Sequence, residues 1–147
     1  MAAQIREGTL DQTKLEALLK TIGDVNNPDT PCRLVSLEQF FDGNDDGGSI
    51  WCNLDTAPEP AEVRKALEGI RARPDVHDVL ILVTQWDGEG SWPFADTVLL
   101  VTSASAETVE SWFGDAYRPD EIYPGTPSHG EPYTPPEDMQ VISAWWD

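Results

Sequence analysis

The sequence predicts an α+β domain: a sheet built in the order β-α-β-β-α-β, with one additional helix at the N-terminus. Three observations carry this. Apolar residues recur at helical spacing after Pro60 and again after Ser105, four apolar extended runs flank those helices in the matching order, and a further helical stripe opens the chain. The 147 residues, 39% of them hydrophobic, suffice for one core and not comfortably for two. The expected organisation is a single domain over 1–147, with 1–48 an N-terminal helix and loop extension and 49–147 the β-α-β-β-α-β core.

Residues 9–23 read as the first helix. Thr9 and Gln12 have capping-box spacing, Leu15, Leu18, Leu19 and Ile22 form one stripe, and Gly23 is a stop. Two prolines and two asparagines between Asp24 and Pro31 mark a loop. Arg33–Phe41 supports two readings, a short strand through Leu34, Val35 and Leu37 or a helical turn capped by Ser36. Ser49–Leu54 alternates and reads as a strand. Pro60–Arg73 reads as a helix, with proline at its first position, Val63, Ala66, Leu67 and Ile70 on one face, and arginines near its C-terminus, where the dipole favours cations. His77–Trp86 and Thr97–Ser103 read as strands. Ser105 caps a helix to about Phe113, Arg118–Pro136 is a loop rich in proline and glycine, and Met139–Trp146 is the last strand.

From Ser49 onward this order is the ferredoxin-like, split-βαβ pattern. Both faces of the two central strands are apolar, so both need cover. The crossover helices supply one side. The N-terminal helix and the Leu34–Phe41 segment are expected to supply the other, with dimerisation through the open face as the alternative.

Charge is the unusual part of the composition. There are 27 acidic and 9 basic residues, a formal charge of −18. Residues through Pro74 hold 13 acidic and 8 basic groups, a net of −5; from Asp75 onward 14 acids face Arg118 alone, a net of −13. Such a field repels nucleic acid and anionic membrane surfaces, favours basic proteins or cations, and also serves plain solubility. Met1–Gly8 lacks the apolar core of a signal peptide, and the longest strongly apolar run is Val79–Val83, far short of a membrane span. The expected home is the cytoplasm. Cys32 and Cys52 match no zinc or CxxC spacing; Cys52 reads as a small buried hydrophobe, and a disulfide is not expected in a reducing compartment.

The split-βαβ arrangement gathers three segments at one sheet edge: Asp42–Gly48, Asp87–Asp96 and Trp145–Asp147. That edge carries Asp42, Asp45, Asp46, Asp87, Glu89, Asp96 and Asp147, with Trp86, Trp92, Phe94, Trp145 and Trp146, and none of the three segments holds a basic residue. Carboxylates around tryptophan suit a cationic partner, since an indole face attracts Arg or Lys. The competing reading is that the tryptophans seal the core while the carboxylates stay solvated. The candidate partner-binding set is therefore Asp42, Asp45, Asp46, Asp87, Glu89, Trp92, Asp96, Trp145, Trp146 and Asp147, in a monomer or homodimer.

Asp42, Asn44, Asp46 and Gly47 also match the opening of a calcium loop, but its twelfth position is Asn53, not the bidentate Glu. The alternative function is a metal- or small-molecule-binding domain at the same rim, the metal form being an incomplete calcium or magnesium site at Asp42, Asn44 and Asp46; no other cofactor is indicated. The two histidines, His77 and His129, stand outside any catalytic motif, and no nucleophile elbow, phosphate-binding loop or HExxH is present. The sequence predicts a binding domain rather than an enzyme.

The runs Val35–Asn44, Trp92–Val98 and Ser143–Asp147 resemble a group of small acidic bacterial proteins of unknown function, over most of Leu34–Asp147. That likeness carries no catalytic assignment. In size and charge, without a shared motif, the chain is also similar to immunity proteins that neutralise secreted bacterial toxins. This second likeness implies a binding role through electrostatics, because an acidic inhibitor masks a basic site and associates fast by steering.

Overall fold

A computed structural model describes residues 10–147. Thr9 and the Met1–Gly8 reading lie outside the described residues. Helix α1 spans Gln12–Ile22 and is capped by Asp11, whose carboxylate accepts from the Lys14 N–H at 3.1 Å. Leu15, Leu18 and Ile22 turn inward, and Gly23 ends the helix at φ 63°, its N–H donating to Leu19 O. Both readings of Arg33–Phe41 are realised in succession: strand β1 (Arg33–Ser36) runs directly into helix α2 (Leu37–Phe41). Ser36 makes the switch. Its hydroxyl accepts from Gln39 N–H while the Gln39 side chain accepts from Ser36 N–H, a closed capping box.

Helix α3 (Pro60–Arg71) buries Val63, Leu67 and Ile70. Strands β2 (Val76–Gln85) and β3 (Phe94–Thr102) form the centre of the sheet. Helix α4 (Ala106–Ser111) is capped by Ser105 as expected. Two further strands follow, β4 (Glu121–Pro124) and β5 (Gln140–Trp145). The five strands lie in the order β1-β2-β3-β5-β4, every neighbouring pair antiparallel.

The domain is thus mixed α+β with four described helices, and beyond the edge strand β1, which the expected N-terminal extension adds beside β2, it departs from the expected ferredoxin-like order in two places. Ser49–Leu54 is not a ladder strand. Only Ile50 forms a bridge, parallel to Ala95, because Trp51 adopts φ 55° and breaks the extended backbone. Left-handed backbone is costly for a bulky residue, and here it turns Ile50 and Trp51 both inward, at 1% and 2% exposure, where an alternating strand would bury only one. β3 therefore pairs directly with β5, in the place the missing strand would have taken. The second departure is β4, which lies inside the stretch read as a loop. It pairs with β5 as an edge strand ending in Pro124, a position where proline leaves no ladder donor missing on the inner side.

The two faces of the sheet are covered unequally. Val79, Ile81, Val83, Val98, Leu100, Ile142 and Ala144 pack with α1, α2, α3 and α4 into the main core. Leu82, Leu99, Val101 and Val141 point to the opposite face. Neither the N-terminal helix nor the Leu34–Phe41 segment covers that second face, contrary to expectation: α1 and α2 pack into the main core, and β1 joins the sheet itself. Residues 125–139 do so as a strap, placing Tyr133 and Met139 against it. The strap is tied at its start and near its middle: Gly125 N–H donates to Val141 O at 2.7 Å, Cys32 N–H to His129 O at 2.9 Å, and Glu131 N–H to Cys32 O at 2.8 Å. Gly130 passes so close to Leu82 that a Cβ would lie 3.1 Å from its methyl carbon. Leu82 and Leu99 are fully buried beneath it, each contributing roughly 1.5–3 kcal/mol of transfer free energy.

Candidate functional site

The three predicted segments do meet, through hydrogen bonds that substitute for the missing strand. Ala95 N–H donates to Ser49 O at 2.9 Å, and the Asp46 carboxylate accepts from Trp92 N–H at 3.0 Å. Trp146 N–H donates to Asp96 O at 2.9 Å, and the Asn53 side chain donates to Asp147 O at 2.8 Å. Residues 42–48, 86–96 and 145–147 therefore form one continuous rim.

Its members divide into those that build it and those that face outward. Trp92 and Trp146 are 2% exposed, so they belong to the core. Trp146 stacks on Trp51 with ring centroids 4.7 Å apart and donates its indole N–H to Tyr117 O. Trp145 is partly exposed, and its indole donates to Asp96 Oδ2 at 3.2 Å. Trp86 is also partly exposed; its backbone N–H and C=O are both engaged by the Asn26 side chain. Asp87, Glu89 and Asp147 are exposed, as is Asp45. Asp42 turns away from the rim and pairs with Arg64 of α3 at 2.7 Å, so a base outside the three segments reaches this carboxylate.

The residues with calcium-loop spacing are occupied in shaping the turn. Asp46 Oδ1 accepts from Gly48 N–H and Oδ2 from Trp92 N–H. Asn44 Oδ1 accepts from Asp46 N–H while its amide donates to Ser49 Oγ. With Asp42 drawn to Arg64, the three side chains do not converge, and among the described residues no group of three or more His, Cys, Asp or Glu is arranged to hold a metal. The oxygens that gave the motif its look are the ones an Asp-rich turn needs for its own backbone.

The rim continues at the C-terminus into a cleft of about 540 Å³, between residues 51–58, the first turn of α3, residues 115–120 and the last two residues. Asp55, Glu62, Asp115, Asp120 and Asp147 line it, with no lysine, arginine or histidine. Trp51, Tyr117 and Trp146 form its aromatic wall, Trp51 lying 5.1 Å from Tyr117 and 4.7 Å from Trp146. Asp120 accepts from Asp147 N–H at 2.8 Å and fixes the chain end there. Reading Ser49–Leu54 as a strand hid this cleft. The signal available was Trp51 itself, a large ring in a stretch whose Gly- and Asp-rich flanks favour turns.

A second hollow, about 690 Å³, is lined in part by Cys32, His129 and Asp29. Both described cysteines are free thiols. Burial, and then the charge of Asp96, push the Cys32 thiol up, the opposite of what a nucleophilic thiolate needs. Among the described residues no helix is long and apolar enough to cross a membrane.

No solved structure matches the chain. A protein of Escherichia coli (strain K12) described as "Uncharacterized protein YfbO" is 40% identical over 137 residues, covering 91% of this chain and 96% of its own length. The model of the "Uncharacterized protein YfbO family" matches residues 13–144, which include the 42–48 and 86–96 segments and most of the cleft. The likeness to bacterial proteins of unknown function is thereby given a family: the chain belongs to the YfbO family.

Proposed function

We propose that the domain is a non-enzymatic binding module that presents its acidic, aromatic rim to a basic protein, in the manner of an immunity protein. One observation carries the reading: five carboxylates of the rim have no ion-pair partner among the described residues, while four of the arginines pair with acids outside those five. Arg33, Arg64, Arg71 and Arg73 pair with Glu131, Asp42 and Glu68, Glu38, and Asp75. Among the described residues, Asp46, Asp87, Glu89, Asp96 and Asp147 have no ion-pair partner. A one-sign surface beside partly exposed tryptophan steers a basic protein and gives it an aromatic contact. Within this reading Trp145 and Trp86 touch the partner, and Trp92 and Trp146 hold the platform in place.

The test is capture from cells with the tagged full chain, followed by titration of the purified captured protein. The reading expects a basic protein whose Kd rises steeply with NaCl and rises again with Asp87→Asn plus Glu89→Gln. A captured protein that is neutral or acidic, or one indifferent to both salt and the double substitution, overturns it.

A further inference from the structure

We infer that Asp87 is a site of spontaneous covalent change, its side chain closing on the Gly88 backbone nitrogen to a succinimide and reopening to isoaspartate. This chemistry is independent of the binding role proposed above.

The sequence holds three Asp-Gly pairs, Asp42–Gly43, Asp46–Gly47 and Asp87–Gly88. Glycine has no Cβ to shield its nitrogen, so all three share the same local chemistry. The glycine N–H groups donate to no acceptor among the described residues, so the carboxylates decide between them. Ring closure swings the carboxyl carbon onto the next nitrogen, and a carboxylate bound elsewhere must first be released. Asp46 is partly buried and engaged at both oxygens, by Gly48 N–H at 2.9 Å and Trp92 N–H at 3.0 Å. Asp42 is held by Arg64 at 2.7 Å, and its turn packs on the start of α1. There Asp11 N–H donates to Gly43 O at 3.2 Å, and a Cβ on Gly43 would fall 2.6 Å from Asp11 Cβ. Asp87 is exposed, beyond the end of β2, and receives one bond, from the exposed Gln85 side chain at 2.7 Å. Water replaces that partner at little cost.

The reaction balances with water alone. Gly88 N bonds to Asp87 Cγ, and the Cγ hydroxyl leaves with the amide proton as water. Water then adds to either ring carbonyl. Breaking the Cγ–N bond restores aspartate. Breaking the bond between the former backbone carbonyl and the nitrogen routes the chain through Cγ, leaves the carboxylate on Cα and lengthens the backbone by one methylene. That extra carbon falls between two fixed points. Asn26 holds the Trp86 N–H and C=O at 3.0 and 2.8 Å, and Gly88 O accepts from Ser91 N–H at 3.2 Å and Ser91 Oγ at 2.7 Å. One of them must give, so Trp86 of the rim moves with the change while the charge is kept.

The experiment ages the full folded chain at neutral pH in water enriched in ¹⁸O, then maps the label by proteolysis and mass spectrometry. Opening of the imide leaves one heavy oxygen at the reacting residue. Label should enter at Asp87, together with resistance there to an endoprotease that cuts before aspartate. Asp42 and Asp46 should label about tenfold more slowly or less, because a charge-assisted hydrogen bond must open first. In urea all three should label alike. Asp87→Glu, whose ring would be six-membered, should abolish the label at that position. Asp87→Asn, with ammonia as the leaving group, should convert faster than wild type. A folded chain that labels Asp42 or Asp46 as fast as Asp87 overturns the assignment. So does a folded chain unlabelled at Asp87 when the urea-unfolded chain labels there, or an Asp87→Asn variant that stays intact.

Discussion

Replacing Asp46 by alanine removes the link that holds two of the three rim segments together. The carboxylate accepts two backbone N–H groups, from Gly48 at 2.9 Å and from Trp92 at 3.0 Å. Gly48 is exposed, so water replaces its partner. Trp92 is 2% exposed, so its N–H is left stranded. A hydrogen bond to a charged acceptor is worth about 1.5–3 kcal/mol, and stranding a buried donor costs a similar amount, so Asp46→Ala should lose about 2–3 kcal/mol. For a chain of this length that lowers Tm by roughly 5–10 °C. Urea unfolding followed by tryptophan fluorescence measures it, with exposed Asp87→Ala as a control expected within about 0.5 kcal/mol of wild type. Calcium should not restore the loss, since the oxygens serve backbone donors. A variant as stable as wild type, or one whose loss appears only in calcium, would refute the turn-forming role.

The tryptophans should separate by role: Trp92→Ala should lose about 3–5 kcal/mol as a core truncation, whereas Trp145→Ala should weaken partner capture at a much smaller cost in stability, both read from denaturant melts. Hydrogen bonds from Arg71, and then from the backbone, hold the Glu38 carboxyl at about 2, below its ordinary 4.5. The stability this brings is complete above about pH 4.5 and is lost as pH falls toward 2; for a half-exposed group it amounts to ~0.5–1 kcal/mol. Glu38→Gln should therefore melt below wild type at neutral pH, and the gap should close in acid; a constant gap contradicts the assignment. With a formal charge of −18, the folded chain repels itself, so moderate NaCl should raise Tm by screening. A flat response would mean that its charges are already compensated.

Much of the fold was legible because periodicity dominates where side chains pack. The stripes Leu15–Leu18–Ile22 and Val63–Leu67–Ile70, the caps at Ser36 and Ser105, and the two-faced strands β2 and β3 all formed as their residues predict. The failures arose where local pattern was overruled by distant partners. Ile50, Cys52 and Leu54 alternate correctly for a strand, yet stacking of Trp51 on Trp146 and Tyr117 favours a left-handed backbone at that residue. β4 is four residues long and ends in proline, so only its pairing with β5 defines it. The strap shows no periodicity because it covers a sheet face with isolated contacts from Tyr133 and Met139.

The rim was legible for a different reason. Strand directions alone fix which loops share an edge, and those of β2, β3 and β5 were read correctly even though the fourth strand was not. Sequence could not tell a tryptophan that seals the core from one that faces solvent, and the cleft depends on a turn that no local pattern announces. Asp42 was misplaced because Arg64, 22 positions away, draws it toward α3.

Hydrogen–deuterium exchange on the complex with the captured partner tests the binding role most directly. Protection gained at residues 42–48, 86–96 and 145–147, and lost when the salt is raised, is the predicted footprint. Protection confined to the 125–139 strap or to the outer faces of α1 and α3 would contradict it.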